Sequence, residues 1–161
     1  MDHAAYPAAM GDTYEVVRTE TIDAPSAVIH ELVVDLHEWT RWSPWEDLDP
    51  DLRRTYSGAD RSTGAVYEWS GNRKAGQGRM EVTGDEPLEV TVAITFLKPF
   101  KSASVATFVL EPVGSGTRVT WRIVGPKTLA TKVMGIFTSM DKLIGPDFEK
   151  GLARLKATAE T

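Results

Sequence analysis

Between residues 53 and 124 the chain repeats one pattern six times: an alternating polar and apolar run, then a short break rich in Gly, Pro, Asn, Asp or Lys. Alternation with period two is what a half-buried strand requires, and breaks this short join neighbouring strands as antiparallel hairpins. The expected strands are 53–56, 65–69, 77–83, 89–96, 102–111 and 117–124, with an earlier one at 13–22. The breaks fall at 58–64, 70–76, 84–87, 97–101 and 112–116. The C-terminal third changes period. Leu129, Val133, Ile136, Phe137, Met140, Leu143 and Ile144 recur at helical spacing, and Phe148, Leu152 and Leu155 continue the stripe. One long helix is expected there, kinked or briefly broken at Pro146, whose ring removes a hydrogen bond and crowds the preceding turn.

Two short helices are expected between the first and second strands. Pro25 suits a helix start, and Val28, Ile29, Leu32 and Val33 follow on one face. A second piece covers 36–42 and ends at Ser43-Pro44, because the residue before a proline is pushed out of the helical region. The fold class is therefore α+β: a curved antiparallel sheet of about seven strands wrapped around a long C-terminal helix. A helix of that length against a curved sheet lies across its apolar face.

Matching faces gives a register, since a slip of one residue would turn every apolar side chain outward. Trp69 opposite Gly78 sets Tyr67 by Met80 and leaves Glu68 by Arg79 on the other face. The next hairpin is expected to place Val82 by Val90, Met80 by Val92 and Gly78 by Ile94. In the last hairpin Leu110 meets Val119 and Phe108 meets Trp121. Strand 102–111 has two options: Ser104, Ala106 and Phe108 on the inner face, or Val105, Thr107 and Val109. The residues alone leave both open.

Composition narrows the function classes. The 161 residues suit one domain, expected over 13–161 behind a flexible leader at 1–12. A net charge of −5 is poor for a duplex-binding surface, so no nucleic-acid partner is expected. No apolar run approaches the ~20 residues of a spanning helix, so no integral membrane association is expected. The first twelve residues have neither a basic nor an apolar region of a signal peptide, which points to the cytoplasm. The chain has no cysteine, which excludes disulfides, thiol nucleophiles and thiolate metal sites.

The chain resembles the START-like helix-grip superfamily, and within it the polyketide cyclase/dehydrase-like (SRPBCC) branch. The residues that carry the resemblance are Ile22-Asp23-Ala24-Pro25, Trp39-Thr40-Arg41-Trp42-Ser43-Pro44-Trp45 and Tyr67-Glu68-Trp69-Ser70-Gly71-Asn72. Gly76-Gln77-Gly78-Arg79-Met80, Gly116-Thr117-Arg118-Val119-Thr120-Trp121 and Asp147-Phe148-Glu149-Lys150-Gly151-Leu152 complete it, over roughly residues 13–157. The resemblance implies a cavity between sheet and helix that accepts lipids, fatty acids, or polyketide-like and other aromatic molecules. Relatives include carriers, receptors, aromatic cyclases and chaperone activators, so function by this analogy is associational.

The expected ligand-binding residues are Tyr67, Trp69, Met80, Val92, Ile94, Phe96, Phe108 and Trp121 on the sheet, facing Met134, Phe137, Met140 and Ile144 on the helix. They form either a pocket with adaptable Met walls or a core with no space left. Trp39, Trp42 and Trp45 stand either at the cavity mouth, where an indole offers apolar area and one donor, or as a cover over one end of the sheet. Glu68 with Arg79 reads as a surface ion pair. His30 and His37 match no metal spacing. The run 46–51 is carboxylate-rich but lacks the glycine and spacing of a calcium loop, and reads as solvated. Asn72 reads as a turn residue, with a left-handed backbone. No nucleophile elbow, phosphate loop, metal set or cofactor motif is present.

Three readings follow: a binding protein for a small hydrophobic molecule, an aromatase/cyclase or dehydratase, and a protein-interaction module without a ligand. The first is preferred on the convergent apolar face together with the resemblance, and the difficulty for the second is that no inward-facing ionisable residue is evident. Catalytic residues are unassigned, no metal or cofactor is expected, and a monomer and a homodimer are both compatible with the sequence.

Overall fold

The computed structural model describes residues 13–99, 101–127 and 140–161. Its elements run β1 (Thr13–Ile22), α1 (Ser26–Val34), a 3-10 helix (Leu36–Arg41), β2 (Arg53–Gly58), β3 (Ala65–Ser70), β4 (Gln77–Glu86), β5 (Glu89–Lys98), β6 (Ser102–Val113), β7 (Gly116–Pro126) and α2 (Met140–Ala159). All seven strands form one antiparallel sheet in the order β1-β7-β6-β5-β4-β3-β2. The inner face is buried against α1 and the 3-10 helix on one half and α2 on the other.

Each helix start has a local cause. The extended backbone of Pro25 sends its carbonyl to the Val28 amide at 3.0 Å. Asp35 caps the 3-10 helix, its carboxylate accepting from the His37 amide at 3.0 Å. The α2 helix runs through Pro146 without interruption. The part of the expected long helix before Met140, with Met134 and Phe137, lies outside the described residues.

The register agrees with the sequence reading in β3–β4 and β6–β7, where Tyr67 faces Met80, Trp69 faces Gly78, Leu110 faces Val119 and Phe108 faces Trp121. The β4–β5 hairpin differs. Val82 pairs with Val92, Met80 with Ile94 and Gly78 with Phe96, two residues from expectation. β4 reaches further than the sequence break suggests, to Glu86 opposite Glu89, and an irregularity between Val82 and Gly84 absorbs Thr83. An even shift keeps every side chain on its face. On β6 the open choice resolves to Ser102, Ser104, Ala106, Phe108 and Leu110 inward, opposite Phe96, Ile94, Val92 and Val90 of β5.

Two surface readings are corrected. Arg79 lies opposite Glu68, but its guanidinium pairs with Glu81 on its own strand at 3.1 Å. Asn72 serves its turn through its side chain: its carboxamide oxygen accepts from the Lys74 and Ala75 amides at 3.0 Å each, and the left-handed residue of that loop is Gly76.

Polar contacts fasten α2 to the sheet at both ends. Arg18, on the inner face of β1, donates to Asp141 at 2.7 and 3.0 Å and to Glu149 at 2.8 Å, which holds its guanidinium charge above the usual range. Arg154 donates to the Ser43 carbonyl at 3.2 Å and to Asp47 at 2.6 Å. At the last turn Glu160 accepts from the Asp23 amide at 2.7 Å. In the middle, Gly151 lets the helix approach closely: a Cβ there would lie 2.9 Å from Pro44 Cδ and from Trp121 Cζ3.

Candidate functional site

The inner face divides at Trp121. On one side Val82, Val90, Val92, Phe108, Leu110 and Val119 are fully buried. Large residues on β6 fill that half, and Trp39 and Trp42 seal it edge-on against Phe108, with centroids 5.7 and 5.9 Å away. On the other side β6 presents only Ser102, Ser104 and Ala106, and space remains. A cavity of about 280 Å³ occupies it. Its walls are Tyr67, Trp69, Met80, Ile94 and Phe96 of the sheet, Met140, Ile144 and Phe148 of α2, and Trp39, Trp45 and Trp121 at the floor.

Ten of the expected residues thus line one space: Tyr67, Trp69, Met80, Ile94, Phe96, Trp121, Met140, Ile144, Trp39 and Trp45. Val92 and Phe108 lie instead in the packed half. So does Trp42: its indole N–H donates to the Leu32 carbonyl at 2.8 Å and its ring is fully buried. Trp39 is anchored the same way, to the Val33 carbonyl at 3.0 Å, but one face reaches the cavity. These two bonds use up both indole donors, so both rings are held in place, Trp39 as a wall of the cavity and Trp42 within the packed half.

Trp121 is the partition. Its ring is stacked on Phe148 at 4.0 Å and on Phe108 at 5.0 Å, so the perpendicular rings of Trp39, Trp42 and Trp45 meet its rim. Its indole nitrogen is buried and has no hydrogen-bond partner among the described residues. A buried donor left unsatisfied costs roughly 1–3 kcal/mol.

Trp69 takes its place through a glycine. A Cβ at Gly78 would lie 2.5 Å from Trp69 Cη2, so the indole lies flat across the neighbouring strand and donates to the Ala75 carbonyl at 2.9 Å. The ladder Tyr56, Tyr67, Trp69, Phe96 then runs ring to ring along the cavity wall at 5.1–5.9 Å.

Polar groups enter at two places that the sequence reading missed. Tyr14 of β1 lines the cavity, with its hydroxyl bonded to buried Ser104; burial raises its phenol and that bond partly offsets the rise. Across the cavity, Glu46 stands on the wall, its side chain 12% exposed. It is no solvated loop residue: Arg54 Nε donates to it at 3.1 Å. Arg54 also bonds the Tyr67 phenol. Burial, and then the Glu46 charge, push that phenol far up, so it remains a neutral donor throughout the physiological range. The small inward residues of β6 were the legible sign of the cavity. The approach of Glu46 was not legible, because it comes from an irregular loop.

Two more carboxylates of that loop are engaged, Asp47 by Arg154, and Asp49 by the amides of Asp51 and Asn72. Among the described residues no three His, Asp or Glu side chains are placed to hold a metal ion. No described helix is long and apolar enough to cross a membrane.

A curved antiparallel sheet gripping a C-terminal helix, with an apolar cavity between them, defines a helix-grip domain. The chain belongs to the family described as polyketide cyclase / dehydrase and lipid transport, whose model matches residues 13–160. Among solved structures, protein CV1439 from Chromobacterium violaceum is similar over 93% of this chain and 99% of its own, at 14% identity and a TM-score of 0.64. CalU16 from Micromonospora echinospora matches over 92% and 77%, at 16% identity and a TM-score of 0.61. DynU16, from the dynemicin biosynthetic locus, matches over 91% of this chain and 47% of its own, at 19% identity and a TM-score of 0.60. At these identities the likeness is one of fold. No curated protein shows significant sequence similarity to this chain.

Proposed function

We propose that the protein binds one small, largely apolar molecule between the sheet and α2, with aromatic or polyketide-like compounds favoured over saturated chains. The observation that carries this is the cavity of about 280 Å³, walled by eight aromatic side chains and six aliphatic ones, Leu52, Met80, Ile94, Ile123, Met140 and Ile144. A wall in which rings outnumber aliphatic side chains suits a planar guest, which gains offset and edge contacts beyond its buried area. Tyr14 and the Tyr67–Arg54–Glu46 group would fix polar atoms at opposite ends of it. The family description, polyketide cyclase / dehydrase and lipid transport, supports a polyketide-like or lipid guest.

Native mass spectrometry of purified protein, followed by denaturing extraction, tests this reading. A co-purifying aromatic or lipid supports it. If the protein is apo, titration with a planar hydrophobic fluorophore should quench indole emission, and Ile144→Trp, which fills the cavity, should abolish the effect. Quenching unchanged in that variant sinks the assignment.

A second reading, a cyclase or dehydratase, draws support from Glu46, an ionisable group on the cavity wall beside a neutral phenol. A positioned acid and base contribute typically 10²–10⁴-fold. Turnover of a polyketide-like substrate, lost in Glu46→Gln with binding retained, would establish it.

A further inference from the structure

We propose that the end of the sheet formed by the β3–β4 and β5–β6 loops docks on a bilayer surface bearing anionic lipid headgroups. The antiparallel order brings to this end the start of β2, residues 71–76, Pro99 and Lys101 beside the β5 and β6 ends, and the end of β7. There Arg53, Arg73, Lys74, Lys98, Lys101 and Lys127 are all exposed, and none has an ion-pair partner among the described residues. Nine other basic side chains among those residues are paired with carboxylates. The loop before β2 adds four carboxylates to this end: Glu46 and Asp47 are neutralised by Arg54 and Arg154, Asp49 serves backbone amides, and Asp51 is the fourth. In a chain of net charge −5, this end is therefore locally cationic.

Two further observations choose the partner. Leu97, 43% exposed, and Pro99 alternate with Lys98 and precede Lys101, so an apolar tip is set among cations. The exposed residues of the cavity lining, Lys74 and Pro99, are on the same two loops. A soluble polyanion would use the cations but would gain nothing from the apolar tip. A bilayer uses both: headgroups meet the lysines while Leu97 and Pro99 enter the interface. A hydrophobic guest could then pass between membrane and cavity without crossing water. That purpose rests on the cavity reading; the docking itself does not.

Flotation with phosphatidylcholine vesicles, with and without phosphatidylglycerol, tests the proposal on the full chain. Binding is expected to the anionic vesicles alone and should fall as salt rises. Each basic side chain near such a surface is worth roughly five-fold in partitioning, so Lys98→Glu/Lys101→Glu should reduce it by about 30-fold or more. Leu97→Ser should weaken it further. Arg61→Glu/Arg118→Glu, the same charge change at the opposite end, should leave most of it. No binding to anionic vesicles at low salt overturns the proposal, as does equal loss in both double variants. Retention on polyglutamate matching that on vesicles, with Leu97→Ser neutral, would assign the end to an acidic protein and overturn it too. The vesicles contain no cavity ligand, so failure here leaves the cavity reading to its own test.

Discussion

Gly78 and Trp69 act as one unit on the cavity wall. The missing side chain of one is the seat of the other, and the Thr95 carbonyl also closes on that position, 2.6 Å from where a Cβ would sit. Gly78→Ala must therefore displace a ring or a strand, and overpacking of this kind costs about 1–3 kcal/mol. Urea denaturation should show the loss, together with a shift in indole emission. Asp85 makes a second prediction at this scale. Burial alone would raise its carboxyl, but hydrogen bonds from the Ser62 hydroxyl and His30 outweigh that and hold it below the usual range. A carboxylate lowered on folding contributes its stability at neutral pH and loses it as pH falls below about 4. Asp85→Asn should thus lower the stability measured by urea denaturation at pH 7 by roughly 1–3 kcal/mol, and much less near pH 3. Little of this was legible in the sequence. His30 read only as a histidine at no metal spacing, and its partner arrives from β4, 55 residues away. Periodicity carries no record of such a pairing.

Elements were far more legible than pairings. Strand faces follow from parity, and parity survives an even slip, which is why β5 lay two residues from its expected partners while Met80, Ile94 and Phe96 still faced inward. What the sequence could not convey was the extension of β4 to a tight turn, because residues 84–87 look like a break when Gly84, Asp85 and Glu86 continue the strand past a bulge at Thr83. The grip of α2 is likewise set by one absent atom. Gly151 faces the rings of Pro44 and Trp121, both buried and rigidly held. In a free helix Gly→Ala gains about 1 kcal/mol. Here the 2.9 Å approach should reverse the sign, so Gly151→Ala should lower the thermal midpoint, whereas alanine at exposed Lys150 should not. A raised midpoint for Gly151→Ala would show that the helix has room to move outward.

For the molecule as a whole, the division of the inner face into a packed half and a hollow half traces to β6, where Ser102, Ser104 and Ala106 give way to Phe108 and Leu110. That gradient was written in the sequence, but it entered the reading only as a question of register. Interiors normally pack to the density of organic crystals, so the hollow half is contact that the chain leaves unmade. The same walls, filled, would make a sturdier protein: Ile144→Trp should hold or raise the thermal midpoint while removing ligand binding, a comparison that one melting series with and without the fluorophore can make. The vacancy also turns the fold into its own reporter. Any molecule that completes the interior raises the melting temperature in proportion to the logarithm of its excess over Kd, so guests can be ranked by heat alone before any is named. A lineage selected only for resilience would be expected to close this space, and one that keeps it open is trading robustness for occupancy.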